Sequence, residues 1–563
     1  MKIYKYIILA FVLTLAFACD EDLLSETPLD TLSPENSFLK PIDIEAALTP
    51  NYQLLRELHN GEDNVLMHSG TDLCMSARDP ANSRLGDYRV GLLPSSDTAL
   101  SFWTRYYKMI ANSNVIISRI ENIEYTDSAQ KQLHLGEAYF FRGYAYRSLG
   151  YLYGGVPIVL NEITSPKTNF TRTSKQATLE QAIEDMKFAV TNLPDVTQVL
   201  KEGKLNNAAA NHLLAELYLA TGDNIKSIET ASAVINNPAI NIMTTRFGNK
   251  ADEVGDPYWD LFQRNNQNRS AGNNEGILVL QEEFNIPGGT PIISGSDNDF
   301  RYERYYGSLY WFLNDPDGNK IFLGATSKNL GRPVGFIRPT PHFTHTIWGW
   351  NSDTGTFSQD ERNNNRNIQR DWVSDNSSSA YFGQKISDFP QSWFDGLSAQ
   401  DTLRDYYPNV TKISTPNDHP NEILSNPETG QMANFSGSTV TDWYLIRVAE
   451  TYLLRAEAHL ANGSPDLAAQ DINMVRSRSQ APDVSAGDVN INYILDERMR
   501  ELNYEEDRRL TLARLELVYD RTVLGNPFSG LTIEPFNNLY PIPFSEIQLN
   551  SEVVLEQNPE YVN

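Results

Sequence analysis

The strongest constraint on the fold is a change of periodicity along the chain. Apolar residues recur at three- and four-residue spacing up to about residue 236, as in Leu100, Trp103 and Tyr107, and the spacing returns from about Thr439. Such spacing gives each helix one apolar stripe, and each stripe must be buried against a neighbouring element. The two ends of the chain therefore predict helices that pack on helices.

The predicted helices form two groups. In the first group we expect helices over residues 42–58, 97–120, 128–152, 175–192 and 205–220, followed by a short helix to residue 236. In the second group we expect helices from about Thr439 to Gly463 and over residues 467–479, 489–503 and 505–519. Short joints and alanine-rich crossings are typical of paired repeats. The predicted fold class is mainly α, with a tetratricopeptide-like helical-repeat scaffold.

Residues 237–438 have a different composition, rich in Asn, Gly, Ser, Asp and aromatic residues, and their periodicity is weak. Six of the eight tryptophans lie between Trp259 and Trp393. Strand-like pieces are short. We therefore expect a large loop-rich insertion that contains short strands, placed between a helical part over residues 41–236 and a second one over residues 439–563.

The first residues carry a targeting pattern. Lys2 and Lys5 precede an apolar run over residues 7–17, which is too short to span a bilayer but typical of a secretory signal. Cys19 follows the small residue Ala18, an arrangement that resembles a lipobox. Cleavage and acylation at this point would anchor the chain to a membrane without a spanning helix.

We accordingly expect residues 1–18 to be a signal peptide and residues 19–40 to be a tether lipidated at Cys19. A plain cleaved signal peptide with an incidental cysteine is the alternative. Once Cys19 carries lipid, Cys74 has no cysteine partner, so we expect Cys74 to be a small buried residue.

The formal net charge of -26 argues against nucleic acid as a partner, because the chain repels phosphate backbones. The sequence contains no GxSxG, HExxH, GxGxxG or P-loop motif. In the acidic segment at residues 315–319, Gly318 is fourth rather than sixth, which favours a turn over a calcium loop. We expect no catalytic residue, no metal and no cofactor.

Segments along nearly the whole mature chain resemble motifs of the SusD/RagB family, in that family's order. Residues 141–146 and 153–157 resemble its FRAYAY and YGGVP motifs, and residues 208–223 resemble its AAxALLARLYL helix. Further resemblances lie at residues 443–458, 473–478, 495–509, 539–543 and 557–559. The sequence departs from the family pattern at residues 505–506 and 510–512, inside a predicted structural helix.

Charged residues in these segments are expected to form structural ion pairs and not a catalytic site. They are Arg447, Glu450, Arg455, Glu457, Glu497, Arg498, Arg500 and Glu501.

The resemblance implies one SusD-like unit over residues 41–563. Such a protein is a lipoprotein on the outer surface of the outer membrane, which captures oligosaccharide or polysaccharide and delivers it to a SusC-like TonB-dependent transporter. It is a receptor and not an enzyme. A surface glycoside hydrolase and a peptide-binding RagB-type receptor are the alternatives. The motifs do not name the ligand, and the aromatic content leads us to expect a neutral glycan such as a β-glucan.

Sugar recognition needs aromatic faces for pyranose rings and planar polar groups for hydroxyls. Residues 301–312 and 348–351 supply such groups, and residues 68–79 form an earlier loop of the kind that the family's sites use. The predicted glycan-binding residues are Trp311, Trp350, Trp348, Tyr305, Tyr306, Tyr310, Arg301, Asn351, Trp372, Asp72, Arg78 and Asp79. Packing of these aromatic residues into a core of the insertion is the alternative.

Arginines are also frequent in the insertion, and guanidinium groups suit anionic uronates or peptide carboxylates. The arginines are Arg301, Arg304, Arg332, Arg338, Arg362, Arg366 and Arg370. Because acidic residues are interleaved with them, a solvated surface of mixed charge is the alternative.

Overall fold

The structure is a computed structural model that describes residues 37–78, 86–286, 289–290 and 300–562. The predicted signal peptide, the lipidation site Cys19, most of the tether and the candidate ligand residue Asp79 lie outside the described residues. Within the described ranges, no helix combines the length and the apolar character that crossing a membrane requires.

The described helices fall into two groups, separated by a middle part in which helices are short. The first group is α1 (Pro41–His59), α2 (Gly61–His68), α3 (Tyr88–Gly91), α4 (Asp97–Arg119), α5 (Ser128–Tyr153), α6 (Lys175–Asn192), α7 (Asn207–Ala220) and α8 (Asn224–Ile235). The middle part contains α9 (Pro257–Leu261), α10 (Tyr302–Tyr306), α11 (Pro341–Thr344) and α12 (Gln391–Asp395). The second group is α13 (Val448–Ala461), α14 (Pro465–Arg478), α15 (Ile491–Leu502), α16 (Arg508–Arg514), α17 (Val518–Gly525) and α18 (Phe544–Leu549).

The two groups form one continuous array. Helix α4 packs on α5, α5 on α6, α6 on α7, and α7 on α8. Helix α13 then packs on both α8 and α14, although the whole middle part separates α8 from α13 in the chain. Fully buried small residues at these crossings, such as Ala209, Ala215 and Ala456, let the helix backbones approach closely. The predicted mainly α helical-repeat scaffold is confirmed.

Local sequence explains how the paired helices begin and end. The Asn206 side chain accepts a hydrogen bond from the backbone N–H of Ala209 and so caps the start of α7. Gly222, with φ +85°, follows the end of α7, and the side chain of Asp223 caps α8. Gly463, with φ +74°, follows α13 in the same way. Each joint is therefore short and reverses the chain direction through a glycine.

The middle part contains short antiparallel strand pairs, as the sequence predicts. The described strands are β1 (Cys74–Ser76), β2 (Gly276–Leu280), β3 (Ile337–Pro339), β4 (Ile368–Gln369), β5 (Asn409–Val410), β6 (Leu424–Asn426), β7 (Gln431–Met432) and β8 (Trp443–Arg447). They pair as β1 with β3, β2 with β8, β4 with β5, and β6 with β7. The β1–β3 pair joins the segment between α2 and α3 to the centre of the insertion.

The pairing of β2 with β8 closes the base of the insertion and corrects one predicted boundary. Helix α13 begins at Val448 and not near Thr439, because residues 443–447 form β8. Trp443 and Tyr444 are both about 1% exposed, so both faces of the strand are buried. A strand that is buried on both faces lacks the alternation of apolar and polar residues by which a strand is predicted. The apolar residues of β8 therefore look like the start of the apolar stripe of α13.

The predicted helix over residues 505–519 is also wrong, because the chain bends twice there. Tyr504 and Glu516 adopt left-handed backbone conformations, with φ of +63° and +59°. These positions bracket the short helix α16, and the next helix, α17, begins only at Val518. Residues other than glycine rarely adopt this backbone conformation, so nothing in the local sequence predicts either bend.

A buried ionic network ties the insertion to the array. Arg447 at the end of β8 donates hydrogen bonds to Glu275 at 2.8 Å and to Glu505 at 2.6 Å. Glu501 on α15 accepts from Arg447 at 2.5 Å and from Arg362 of the insertion at 2.9 Å. The expected structural pairing is confirmed, and other pairs of this kind are Arg455–Asp471, Arg498–Glu450, Arg500–Glu497 and Arg514–Glu457.

Candidate functional site

A hairpin in the insertion presents the most exposed of the eight tryptophans, all of which lie in the described ranges. The Trp350 side chain is 40% exposed, and its ring centroid lies 4.6 Å from that of Phe357. The His345 ring meets Trp350 edge-on at 5.5 Å. The guanidinium of Arg370 lies over the Phe357 ring at 4.4 Å. We call His345, Trp350, Phe357 and Arg370 the Trp350 face.

The hairpin that carries Trp350 is held by its own backbone and by Asn351. The backbone N–H of Asn351 donates to the carbonyl oxygen of Thr356 at 2.9 Å, and that of Gly355 donates to the carbonyl oxygen of Asn351 at 2.8 Å. The side-chain oxygen of Asn351 accepts from the backbone N–H of Asp353 at 2.9 Å. Asn351, a predicted ligand residue, is exposed, but its side-chain oxygen is used to shape the turn.

A second cluster forms where the earlier loop meets the insertion. Arg78 follows β1, and its guanidinium lies 3.7 Å from the centre of the Phe336 ring, just before β3. Tyr305 meets Phe336 edge-on at 4.9 Å, and Arg301 donates to the Tyr305 hydroxyl at 3.2 Å. The pairing of β1 with β3 thus brings the predicted residues Arg78, Arg301 and Tyr305 together. Arg78 is exposed, whereas Tyr305 is almost fully buried.

The chain connects this second cluster directly to the Trp350 face. Strand β3 carries Arg338 opposite Met75 of β1, and it leads through the short helix α11 into His345. Arg338 and Arg370 both act electrostatically on His345. Residues 336–357 therefore connect the two clusters along the chain.

Five of the predicted ring platforms lie in the protein core instead. They are Tyr305, Tyr306, Tyr310, Trp348 and Trp372, each no more than 3% exposed. Tyr310 and Trp372 belong to a satellite core within the insertion, and Tyr306 packs against Tyr504 at 4.4 Å. A ring whose two faces are covered by protein cannot stack on a sugar, so these five rings are not sugar platforms.

Asp72 is likewise enclosed and serves the core. It accepts hydrogen bonds from Arg508 at 2.8 and 2.7 Å and from Arg521 at 2.7 Å. The Asp72 side chain is fully buried. Burial alone would raise its pKa, but the two guanidinium groups outweigh burial and lower the pKa to about 2. Asp72 is therefore a charged structural residue and is not available to a ligand.

Trp311 occupies a separate, half-buried position. Its ring N–H donates to the carbonyl oxygen of Pro333 at 3.0 Å, and the guanidinium of Arg332 lies 5.6 Å from its ring. The neighbouring Phe312 is 49% exposed, with Lys320 above its ring at 5.3 Å. Trp311 and Phe312 thus form a second, smaller aromatic surface that belongs to a different cluster from Trp350.

The predicted ligand residues do not include Phe336, His345, Phe357 or Arg370. Of these four residues, Arg370 was named only among the arginines of the insertion. Phe357 and Arg370 are isolated in the sequence, and only the hairpin and the chain beyond it bring them to Trp350. Only Phe357 has a signal in the sequence, which is the turn at residues 351–355. A turn there predicts that residues 350 and 357 face each other.

The described residues include no group of three or more His, Cys, Asp and Glu side chains placed to hold a metal ion. Asp315 accepts hydrogen bonds from the backbone N–H groups of Asp317 and Asn319, both at 2.9 Å, which is the predicted turn. Cys74 is fully buried, and burial raises the pKa of its thiol, as expected for an inert core residue.

Carboxyl groups with raised pKa values are candidates for general acids. Burial raises the pKa of Glu282 and Glu450 to about 7. Glu282 pairs with Arg56 at 2.5 Å, and Glu450 pairs with Arg498 at 2.7 Å. Both glutamates lie in the helical scaffold or at its junction with β2, and neither belongs to the Trp350 face. Their geometry is that of internal ion pairs.

A cavity of about 510 Å³ lies between α4, residues 157–170 and α18. Its walls are mostly apolar and include Tyr107 and Phe170. Trp103, predicted to be a core residue, is 4% exposed in this wall. None of the predicted ligand residues in the described ranges lines this cavity, so the candidate functional site remains the Trp350 face.

Comparison with known proteins places both ends of the chain in one family. The family model described as "Starch-binding associating with outer membrane" matches residues 29–219, and the model described as "SusD family" matches residues 405–561. A SusD-like protein from Formosa agariphila is 23% identical over 100% of both chains. The starch-binding protein SusD from Bacteroides thetaiotaomicron is 34% identical over 22% of both chains.

Solved structures show the same fold. A laminarin binding SusD-like protein has a TM-score of 0.65 and 20% identity, covering 93% of this chain and 100% of that chain. Surface glycan-binding protein A from Bacteroides thetaiotaomicron has a TM-score of 0.63 and 16% identity, with the same coverage. The matched family models, the full-length relatives and the shared helical fold together show that the chain belongs to the SusD/RagB family.

Proposed function

We propose that this protein is a cell-surface receptor that binds oligosaccharide or polysaccharide at the Trp350 face and passes it to a SusC-like TonB-dependent transporter. The observation that carries the proposal is the exposed Trp350 ring, which packs against the rings of Phe357 and His345. Names of the relatives and structural neighbours, which include starch-binding, laminarin-binding and glycan-binding proteins, support a glycan as the ligand.

The physical basis is stacking on a rigid ring. The apolar C–H face of a pyranose replaces water on the exposed part of the Trp350 ring, while contacts with Phe357 and His345 hold the ring in place. Because the hairpin is already closed by backbone hydrogen bonds, binding orders few additional groups. Nearby guanidinium groups at Arg78 and Arg370 are planar donors suited to pairs of sugar oxygens.

We propose binding without turnover. Hydrolysis of a glycosidic bond requires two carboxyl groups about 5 to 10 Å apart that flank the bond. Residues 350–357 contain a single carboxyl group, that of Asp353, and it is exposed. Glu282 and Glu450, whose pKa values are raised to about 7, are held in ion pairs. Incubation with labelled oligosaccharides that yields shorter products would favour the hydrolase instead.

Replacing Trp350 with alanine is expected to weaken glycan binding by about 1–3 kcal/mol, because one stacking platform is lost. Isothermal titration calorimetry with oligosaccharides, beside affinity electrophoresis in polysaccharide gels, measures the change. The matched control is Phe312→Ala, which removes an exposed ring from the other aromatic cluster. Equal affinities for Trp350→Ala and the wild type, with both proteins folded, would exclude Trp350 from the site.

Replacing Cys19 with alanine is expected to release the protein from the outer membrane, because the proposed lipid is the anchor. Membrane fractionation and external protease treatment of whole cells measure the anchoring. Copurification of the native protein with a TonB-dependent transporter tests the proposed partner. Cys74→Ala is the control, since it removes the other cysteine of the chain. A Cys19→Ala variant that stays in the membrane fraction contradicts lipid anchoring at this residue.

A further inference from the structure

Arginines buried in this protein are usually paired with carboxylates. Arg362 pairs with Asp360 at 2.6 Å, Arg142 with Asp185 at 2.8 Å, and Arg514 with Glu457 at 2.6 Å. Such pairing is expected, because a guanidinium that is removed from water without a counter-charge is costly. Two arginines along the candidate surface depart from this pattern.

Arg370 is the first departure. Its Nη2 donates to the side-chain oxygen of Asn363 at 2.6 Å, and its guanidinium lies flat over Phe357. The Nε and Nη1 atoms are buried and donate no hydrogen bond to any group in the described part of the chain. No carboxylate of the described residues acts on Arg370, and burial lowers its pKa to about 10. Arg370 therefore carries a positive charge that no described residue neutralises.

Arg338 is the second departure. Its Nη1 donates to the backbone carbonyl oxygens of Thr402 at 2.5 Å and Leu403 at 3.4 Å, and its guanidinium lies 5.1 Å from the Tyr407 ring. Its Nε is buried without a hydrogen-bond partner among the described residues. Burial lowers the pKa of Arg338, and within the described ranges no carboxylate opposes that shift. The backbone carbonyl groups accept hydrogen bonds from Arg338, but they carry no formal charge and do not neutralise its positive charge.

His345 is close enough to both arginines for their charges to act on it. Burial lowers the pKa of His345, and the positive charges of Arg370 and Arg338 lower it further. Of the neighbouring acids, Asp360 is bound by Arg362, and Asp371 accepts from the Ser387 hydroxyl at 2.9 Å and lies 4.0 Å from Lys385. Two guanidinium groups that no carboxylate of the described residues pairs with therefore lie close to His345, which contacts the exposed tryptophan.

We propose that the Trp350 face selects anionic glycans, with the acidic group of the bound sugar paired to Arg370 and, beside it, Arg338. This inference rests on the proposed function and narrows its ligand class. The Arg370 guanidinium contacts the Phe357 ring, and the Phe357 ring contacts Trp350, so an acidic substituent at the edge of a sugar bound at this face is placed to pair with Arg370. A planar carboxylate or a sulfate ester there accepts two hydrogen bonds from one guanidinium. A neutral glucan offers only hydroxyl groups, which leave the charge of Arg370 uncompensated.

The test compares three oligosaccharides of similar length by calorimetry: a neutral β-glucan, an oligouronate and a sulfated galactan. We expect the wild-type protein to bind at least one of the two charged sugars about tenfold more tightly than the neutral one. We expect the preference to shrink as salt rises from 50 to 500 mM, because ion pairs at a partly exposed surface are screened. The two charged probes separate carboxylate recognition from sulfate recognition.

Arg370→Gln is expected to lower affinity for the preferred charged sugar about tenfold and to lower affinity for the neutral sugar by a smaller factor. The matched control is Arg89→Gln, which removes the same charge from an exposed, carboxylate-paired arginine on α3. Arg370→Lys keeps the charge but loses the paired donors, and we expect an intermediate loss. The salt dependence of the wild-type protein requires no variant, so the inference stays testable if Arg370→Gln fails to fold.

The outcomes separate this inference from the proposed function. Neutral sugar bound as tightly as both charged sugars, with Trp350→Ala still weakening the binding, overturns anionic selectivity and leaves glycan binding intact. Binding of acidic peptides, with none of the three sugars bound, overturns both and favours the peptide-binding alternative. Tighter binding of a charged sugar that depends on Arg370 supports both.

Discussion

Replacing Asp72 with asparagine is expected to lower the free energy of unfolding by about 3–5 kcal/mol, because it removes the carboxylate that two buried guanidinium groups share and leaves Arg508 with Glu506 and Arg521 with Asp496. Asp72 is the shared partner of Arg508 and Arg521, and all three side chains are about 1% exposed or less. Asparagine keeps the size of the side chain but cannot supply the negative charge. Urea unfolding at pH 7, followed by circular dichroism, measures the loss.

The same substitution changes how stability depends on pH. The pKa of Asp72 in the folded protein is about 2, whereas an aspartate in an unfolded chain has a pKa of about 3.9. A carboxyl with a depressed folded-state pKa stabilises the fold above its unfolded pKa and loses that contribution as pH falls. The wild-type protein should therefore lose about 2 kcal/mol from this group between about pH 4 and pH 2. The Asp72→Asn variant lacks that component.

Glu184→Gln is a suitable control for Asp72→Asn. Glu184 pairs with Lys187 three residues later, and both side chains are at least 50% exposed. An exposed pair of this kind contributes about 0–1 kcal/mol, so this variant should unfold almost like the wild type. If Asp72→Asn lost no more stability than Glu184→Gln, the Arg508–Asp72–Arg521 cluster would not be a stabilising element.

Replacing Glu501 with glutamine is expected to cost a similar amount, about 3–5 kcal/mol, and to act mainly at the base of the insertion. The Glu501 side chain is fully buried and pairs with Arg447 from β8, Arg478 from α14 and Arg362 from the insertion. Loss of one negative charge leaves a local excess of positive charge among these arginines. Because two of the partners belong to or border the insertion, its attachment should weaken first.

Hydrogen exchange followed by mass spectrometry tests where the Glu501→Gln variant loosens. We expect faster exchange in β2 and β8 and little change in the centre of the array, around α5 and α6. Glu516→Gln is the control, because Glu516 is 70% exposed and pairs only with Lys175 at 2.9 Å. Uniformly faster exchange over the whole chain, or none, would contradict a local role for Glu501.

Helical segments with a clear apolar stripe were predictable from the sequence, whereas segments fixed by distant contacts were not. The helices α4, α5 and α6 match their predicted ranges closely. Strand β8 was not predicted, because its partner β2 lies far away in the chain and its residues are buried on both faces. The break before α16 depends on the left-handed conformations of Tyr504 and Glu516, which tertiary packing imposes.

The same limit applies to the candidate site. A run such as residues 301–312 contains aromatic residues that face the core beside others that face solvent, and periodicity in a loop does not separate them. Tyr306 and Tyr310 proved to be enclosed, whereas Phe312 is exposed. The turn at residues 351–355 indicates that Trp350 and Phe357 lie close together. No local sequence pattern predicts that Arg370 lies over Phe357. Asp72 was misread because a short acidic side chain beside a loop gives no sign of its distant arginine partners.

The closure of the insertion by β2 and β8 has a consequence for how such proteins diversify. Since the excursion leaves the array after α8 and rejoins it at α13, directly against α8, the helices of the two groups pack on each other without a gap. Mutations on the solvent-exposed surface of the excursion can accumulate without disturbing the stacking of the repeats, whereas buried residues such as Tyr306 and Arg362 share the core or an ion pair with the array. The segment from Gly276 to Arg447 thus has the properties of an exchangeable cassette, and grafting a relative's cassette at these two ends should transfer ligand preference while keeping the host's folding.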